Sequence, residues 1–395
     1  MSKIMDIAIQ IRGVSYKPND LRDSLTNDSV ILLRANNIDN DQVNYDDVVY
    51  VDKSKVKDYQ YLQIGDILIC ASSGSKNLVG KAAIISENTQ ATFGAFCKVI
   101  RPKTISPEYL GLYFLSPTYR EKISQLAEGV NINNIRNEHI DSLELAIPDE
   151  KTQSDVVNKL KRLFSVIHLQ KTQLKKLDEL IKSRFVEMFG DPVLNIQKWI
   201  KVPMGNYMSL LTDFSANGSY EYLDSNVVMY SEPNYALMVR TTDLERNDFN
   251  NDVKYIDEKA YNILSKSKLF GNEIIMNKIG SAGKVYLMPK LNKPASLGRN
   301  AFMFRFNSDI NILFLYYLLT SEYGLSEIQQ HVRGAVTQTI TKDAARSIRI
   351  IVPPIELQNQ FADFVTKVER QKVIVQQSID KLETLKKSLM QEYFG

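Results

Sequence analysis

Apolar residues recur every seven positions in two long stretches of the chain, residues 151–189 and 356–394. The repeating positions are Leu160, Ile167, Leu174, Ile181 and Met188 in the first stretch, and Phe361, Val368, Val375, Leu382 and Leu389 in the second. Neither stretch contains Gly or Pro. Strict heptads of this length predict two helices with coiled-coil seams, each roughly 50 Å long at 1.5 Å per residue. Two separate surface helices are the alternative, but the matching seams favour pairing, and antiparallel pairing would place the preceding regions at opposite ends.

The region before each helix shows a mixed pattern of strands, loops and helix. Short apolar runs bounded by turn residues predict strands at Val30–Leu33, Ile67–Cys70, Ala82–Ile85, Phe96–Ile100, Ile274–Met276 and Ala301–Phe306. An amphipathic helix is predicted at residues 108–126 and another at 312–330. Proline closes each region, at Pro148 and at Pro353, and residues before a proline avoid the helical conformation. The pattern therefore predicts two globular modules, each followed by a long helix.

The two halves are copies of one unit. The segment 129–135 matches 334–340 with an offset of 205, and Phe189-Gly190 matches Phe394-Gly395 with the same offset. Earlier in each half the offset is 206, where Leu33-Arg34 matches Val239-Arg240 and the segment 65–69 matches 271–275. A register kept over most of a half indicates an internal duplication.

Charge gives only weak support for a nucleic-acid partner. The chain has a formal net charge of +3, and residues 1–150 carry 16 basic and 20 acidic side chains. Residues 151–190 carry nine basic and four acidic side chains. A DNA-binding face must then be a local patch. The longest apolar run, residues 312–319, is far shorter than the ~20 residues that span a bilayer, and we expect a cytoplasmic protein.

Motifs for catalysis and for metal binding are missing from the sequence. The loop at residues 74–82 has five residues between its glycines, where a phosphate-binding Walker A loop has four, and Ala82 replaces the hydroxyl residue. Cys70 and Cys97 are 27 positions apart and the three histidines are scattered, which argues against zinc. Pro353-Pro354 lies between Val352 and Ile355, so the tetrapeptide of DNA amino-methyltransferases is absent. We predict a non-enzymatic chain that binds no cofactor.

Basic and amide side chains cluster in matching loops of the two copies. Asn and Gln can read adenine, whereas Arg and Lys can read guanine or hold phosphates, and ordinary solvated loop residues are the alternative for each position. The DNA-binding candidates in the first copy are Arg34, Asn36, Lys76, Lys81, Asn131, Asn133, Asn134 and Arg136. Those in the second copy are Arg240, Thr241, Lys278, Ser281, Lys284, Arg299, Asn300, Gln338, Thr339 and Lys342. Arg34 and Arg240 can instead anchor the loop that follows each strand.

Over nearly its full length the chain resembles the specificity subunits of Type I restriction-modification systems. The resemblance rests on the Gly-Asp-Ile-Leu-Ile segment at 65–69, the Gly-Ala-Val-Thr-Gln-Thr-Ile stretch at 334–340, and Val-Pro-Pro-Ile-Glu-Leu-Gln at 352–358 before a long helix. It also rests on the Phe-Gly that ends each half. The first copy departs from the pattern, with Val130 to Asn134 in place of Ala-Val-Thr-Gln-Thr.

The resemblance implies an α+β fold of two similar mixed target recognition domains, 1–150 and 191–355, joined by an antiparallel coiled coil of helices 151–190 and 356–395. It implies that the chain reads a bipartite site on double-stranded DNA. It also implies docking of two modification subunits, which would supply S-adenosylmethionine for adenine methylation, and of restriction subunits. The alternative is a scaffold for protein partners that does not read DNA, which the modest charge favours; a self-contained modifying enzyme is disfavoured by the missing motifs.

Overall fold

A computed structural model of the chain describes residues 1–39, 41–75, 78–127 and 133–395, and of Asn133 only the backbone. The described chain separates into two compact units. The first comprises Met1–Thr172 and Val375–Gly395, and the second comprises Gln173–Ile374. Each unit therefore contains one globular module and parts of both long helices.

The first module is built on a four-stranded antiparallel sheet. Its central strand, Ile67–Cys70, is the apolar run predicted from the sequence, and all four of its residues are buried. A continuous apolar strand forms because both faces of this sheet are covered. The strand order is Ala82–Ile84, Ile67–Cys70, Cys97–Pro102 and Ala8–Arg12.

A second four-stranded sheet completes this module, in the order Ala91–Phe93, Ser29–Leu33, Val49–Asp52 and Leu21–Arg22. Its first pair is parallel and the others are antiparallel. Residues from both sheets, among them Leu33, Leu68, Phe93 and Val99, share one buried apolar cluster. The two sheets thus enclose a common core.

The second module repeats this architecture. Its antiparallel sheet has the order Met208–Asp213, Ala301–Phe306, Ile274–Asn277 and Val285–Leu287. Its other sheet has the order Lys254–Ile256, Ala236–Val239, Ala295–Leu297 and Lys268–Leu269, with one parallel pair. The outer strand Lys268–Leu269 joins the opposite edge from Leu21–Arg22 of the first module, so the copies differ at the periphery.

Short elements complete each unit. The pairs are Ser2–Lys3 with Glu144–Leu145, Ile38–Asp39 with Gln42–Val43, and Ile200–Pro203 with Arg349–Val352. The shorter helices are Ile4–Ile7, Asn137–Asp141, Tyr220–Asn226, Thr241–Arg246, Glu258–Ile263 and Lys342–Ser347. The 3-10 turns are Pro18–Asp20, Ala35–Asn37, Lys53–Lys55, Asp58–Gln60, Met204–Tyr207, Phe214–Asn217 and Ser265–Ser267.

The prediction of a single amphipathic helix near the end of each module was wrong. The first is two helices, Pro107–Phe114 and Pro117–Leu126, and the second is Ile312–Leu319 and Glu322–Gln329. At each break a serine side chain accepts a hydrogen bond from the backbone of the next helix, Ser116 from Tyr119 and Ser321 from Gly324. These serines start new helices, because a side-chain acceptor replaces the partner that the first N–H groups lack.

The long helices run from Glu150 to Phe189 and from Ile355 to Phe394, 40 residues each. In the first unit, Gln170 donates to Ser378 at 3.0 Å and Lys171 to Glu383 at 2.7 Å. In the second unit, Lys372 pairs with Asp178 at 2.7 Å. From Gln170 to Asp178 the residue number rises in the first helix, while that of the partner falls from Ser378 to Lys372 in the second. The two helices are therefore antiparallel, which confirms the predicted fold class.

The heptad residues lie along this pair with unequal burial. Leu160, Ile167, Ile181, Phe361 and Val368 are buried. Leu174, Met188, Val375, Leu382 and Leu389 are partly buried. Phenylalanines that the heptad count does not include, such as Phe189 and Phe394, anchor the helix ends in the module cores. The role of the heptad residues in helix pairing stays a prediction.

At one point of the internal repeat, the structure shows a different register from the one read in the sequence. The Gly65 N–H donates to Ile85 O and the Asn272 N–H to Met288 O, both at 2.8 Å. Gly65 therefore corresponds to Asn272, and the offset here is 207 rather than 206. The following acids make equivalent buried ion pairs, Asp66 with Arg101 at 2.8 Å and Glu273 with Arg305 at 3.0 Å. These pairs are not recognisable in the sequence because one inserted residue hides the match.

Candidate nucleic-acid interface

The loops selected from the sequence come together as a two-stranded antiparallel ribbon in each module. In the first, Ser72–Ser73 pairs with Asn133–Asn134, and in the second, Ile279–Gly280 pairs with Gln338–Thr339. Both ribbons are extended by the same backbone hydrogen bond, from Ile135 N–H to Ala71 O at 2.8 Å and from Ile340 N–H to Lys278 O at 3.1 Å. Segments far apart in sequence thus form one duplicated polar feature.

The second ribbon ends in a tight hairpin. Arg333 and Thr339 exchange backbone hydrogen bonds of 2.9 and 2.8 Å. Gly334 has a φ of +98°, and a Cβ there would lie 2.3 Å from Thr337 O, so the turn requires glycine. At its tip Val336 is 99% exposed. An exposed apolar tip beside polar ribbon residues is suited to contacts with a nucleic-acid groove, where apolar groups meet the thymine methyl.

Ribbon candidates differ in how freely they face solvent. Thr339, Ser281 and Asn134 are exposed, and Gln338 is partly buried. The Ser281 hydroxyl accepts a hydrogen bond from Asn277 Nδ2 at 2.9 Å. Beside them lies Arg333, which the sequence analysis missed; its guanidinium is exposed and has no ion-pair partner among the described residues.

Lys278 and Lys342 are held by a buried carboxylate. Their Nζ atoms lie 2.7 and 2.9 Å from the two oxygens of Asp213, whose side chain is 7% exposed. Burial alone would raise the pKa of Asp213, but the hydrogen bonds and charges of both lysines outweigh it and keep the pKa below its ordinary value. This triad stabilises the base of the second ribbon, and each lysine is held by one oxygen of the same carboxylate.

Arg34 and Arg240 anchor loops in the way that the sequence alternative described. The Arg240 guanidinium binds Asp243 at 2.7 Å, and the Asp243 side chain is fully buried. It also donates to the backbone oxygen of Asp252. In the first module the Arg34 guanidinium donates to the carboxylate of Asp47, the residue equivalent to Asp252, at 3.1 Å. In the same loop Asn36 donates to this carboxylate at 2.7 Å. These candidates therefore serve the module's own structure.

Two further candidates of the second module, Arg299 and Lys284, form ion pairs within the module. Arg299 pairs with Asp224 at 2.7 Å and stacks on Tyr220 at 5.0 Å. Lys284 pairs with Glu245. The backbone carbonyl of Asn300 accepts from the Lys278 N–H at 2.8 Å, and the residue is exposed. Thr241 is the first residue of the helix Thr241–Arg246.

In the first module the placement of the candidates is only partly described. Lys76, Asn131 and the Asn133 side chain lie outside the described residues. Lys81 is partly buried, and Arg136 is 69% exposed and 3.5 Å from Glu138. Asn134 and Arg136 line a cleft of about 520 Å³ together with Arg12, Lys98 and Asn137. Arg12 and Lys98 were missed because only the pairing of two strands brings them to this cleft.

The described residues contain neither a cluster suited to a metal ion nor a reactive thiol. No group of three His, Cys, Asp or Glu residues suited to a metal ion occurs among them. Burial raises the pKa of both Cys70 and Cys97, which disfavours the reactive thiolate. Within the described chain, no helix is both long and apolar enough to cross a membrane.

Relatives with known names share this sequence pattern. The specificity subunit of the Type I restriction enzyme StySPI from Salmonella potsdam is 38% identical over 180 residues, 45% of this chain and 39% of that protein. The EcoKI specificity subunit of Escherichia coli K12 is 35% identical over 202 residues, 50% of this chain and 44% of that protein. These matches span less than half of either relative. The putative MjaX specificity subunit of Methanocaldococcus jannaschii is 23% identical over 382 residues, 91% of this chain and 85% of that protein.

Solved structures share the fold. The S subunit of a Type I restriction-modification system from M. genitalium superposes with a TM-score of 0.56 at 12% identity, over 100% of this chain and 95% of the other. A chain from a structural study of assembly of a type I R-M system gives 0.52 at 16% identity, over 98% and 97%. At these identities the likeness bears on fold alone.

The family model of the Type I restriction modification DNA specificity domain matches residues 3–179 and 200–384, one match for each copy of the repeat. The named relatives are specificity subunits, and the predicted resemblance to Type I specificity subunits is confirmed. The chain thus belongs to the family of Type I restriction-modification DNA specificity proteins.

Proposed function

We propose that this chain reads a bipartite sequence on double-stranded DNA, each module contacting one half-site through its ribbon. The observation that carries the proposal is the ribbon itself, which both modules build at the same place from separate loops. A two-stranded ribbon fits the major groove of B-DNA, where amide and hydroxyl side chains can distinguish base pairs. Exposed Thr339 and Asn134 occupy equivalent positions on the two ribbons.

The proposed domains are target recognition domains at 1–150 and 191–355 and spacer helices at 151–190 and 356–395. The two ribbons carry different side chains, Asn133–Asn134 against Gln338–Thr339, so the half-sites should differ. We expect the helices to set the unread gap and to dock two modification subunits carrying S-adenosylmethionine, with restriction subunits joining them in the cytoplasm.

Methylome sequencing tests this function. Cells that express the chain with its neighbouring modification subunit should gain N6-methyladenine in both halves of one split motif. The control is a strain with the modification subunit and a different specificity chain, which should methylate another motif. If the control methylates its motif and this chain yields none, the scaffold alternative replaces DNA recognition.

A further inference from the structure

Three cations, Arg12, Lys98 and Arg136, line the cleft beside the first ribbon. The Lys98 ammonium donates to the Asn137 Oδ1 at 2.6 Å. This hydrogen bond orients the ammonium without neutralising its charge. The Arg12 side chain is exposed and has no ion-pair partner among the described residues. Glu138 is the acidic residue in the lining, and it lies 3.5 Å from Arg136. The lining therefore carries three cations and one carboxylate, and the Asp141 carboxylate is a further negative charge that acts on Lys98.

The equivalent place in the second module contains a buried carboxylate, that of Asp213. Lys98 pairs with Arg12 across two strands, and in the second module Phe302 pairs with Asp213 at the same point of the ladder. The two strand partners correspond because Ala71 N–H donates to Phe96 O where Lys278 N–H donates to Asn300 O. The duplication thus places Arg12 where the other copy has Asp213.

This exchange changes what each place can bind. In the second module the Asp213 carboxylate binds both Lys278 and Lys342, at 2.7 and 2.9 Å. In the first module, burial and the neighbouring Arg12 charge lower the pKa of Lys98, and the charges of Asp141 and Glu138 offset only part of this effect. A bound anion would relieve both effects, since an opposite charge within about 4–6 Å favours the charged ammonium.

We propose that the cleft of Arg12, Lys98 and Asn137 binds a backbone phosphate of the DNA duplex, and that the equivalent place in the second module binds none. This inference rests on the proposed function. Arg, Lys and Asn are usual phosphate ligands, and such contacts fix the register of a module on the duplex without reading sequence. The cleft also contains Asn134 of the ribbon, so a phosphate held there would place the ribbon against nearby bases.

The test uses the full chain in complex with its modification subunits and a duplex that carries the methylated motif. Affinity is measured against salt concentration for the wild type, Arg12→Gln, Lys98→Gln and the double variant. Each lost phosphate contact flattens the log–log slope by about 0.9. We expect the double variant to show this change, with weaker binding and an unchanged methylated motif.

Two control variants should keep the wild-type slope. Lys55→Gln removes a cation outside the cleft that is paired with Asp20 at 3.1 Å. Lys342→Gln removes a cation of the triad, at the equivalent place in the second module. A flattened slope for Lys342→Gln would refute the asymmetry between modules.

The two levels of the proposal fail differently. If wild-type binding weakens steeply with salt and the double variant has the same slope, the cleft is not a phosphate site and DNA recognition stands. If the double variant loses the modification subunits on gel filtration at an unchanged slope, the cleft contacts acidic protein instead. If the wild-type complex binds duplex DNA with no salt dependence, the proposed function itself is wrong.

Discussion

Two glutamines at equivalent positions fasten each long helix to its module. Gln358 is fully buried; its Oε1 accepts from the Asn311 N–H and its Nε2 donates to Pro353 O, both at 2.8 Å. Gln153 makes the same two contacts, with Ser106 at 3.2 Å and Pro148 at 2.9 Å. Asn311 and Ser106 each cap the first helix of the adjoining pair. One side chain thereby fixes the start of the long helix against the module core.

Replacement of Gln358 by leucine should lower the free energy of unfolding by about 1–3 kcal/mol for each buried polar group left without a partner. Urea denaturation monitored by circular dichroism measures the change. Gln377→Leu on the exposed side of the same helix is the matched control and should change stability by less than about 0.5 kcal/mol. Equal effects of both variants would argue against the fastening role.

Asp213 makes stability depend on pH in a defined direction. Because its folded pKa lies below its ordinary value, its contribution is present above about pH 4 and is lost as the pH falls through the folded pKa. Asp213→Asn should therefore be less stable than the wild type at pH 7, with a gap that narrows below about pH 4. Urea midpoints between pH 3 and 7 measure the gap, and a gap constant with pH would contradict the prediction.

At the scale of secondary-structure elements, the heptad pattern and the central strands were predictable because burial of one helix face, or of a whole strand, imposes a period on the sequence. The helix breaks at Ser116 and Ser321 were not predicted. Apolar residues on both sides of each break face the same core, as do Phe114 and Ile123 in the first module, so the apolar pattern continues across it.

The seam of the helix pair can be tested at one position. Ile181 is fully buried in the core cluster of the second unit with Phe361 and Val368, whereas its neighbour Leu180 is 46% exposed. Ile181→Ala should lower the free energy of unfolding by about 2–5 kcal/mol, because a packed site collapses only partly around the lost atoms. Leu180→Ala is the control and should cost less than about 0.5 kcal/mol. Thermal unfolding of the two variants measures the difference, and equal losses would contradict the role of Ile181 in the seam.

At the scale of the whole molecule, the duplication sets the expected length of the DNA site. Removal of one heptad from each long helix shortens each helix by about 10 Å. At 3.4 Å per base pair the unread gap of the motif should shrink by about three base pairs with both half-sites unchanged. Methylome sequencing of cells carrying the shortened chain measures the gap. An unshortened motif would show that the helices do not set the spacing.

The sequence by itself determined the duplicated architecture, the two long helices and the family, because a repeated unit and a buried helix face leave periodic marks that survive divergence. It also identified the ribbon segments, since both copies keep polar residues there. Only the tertiary structure separated free cations from paired ones. Folding brings a carboxylate to each of four candidate cations, Lys278, Lys342, Arg240 and Arg299. Arg12 and Lys98 form a cleft because two strands pair, and the energy of a charge depends on neighbours that sequence distance does not reveal.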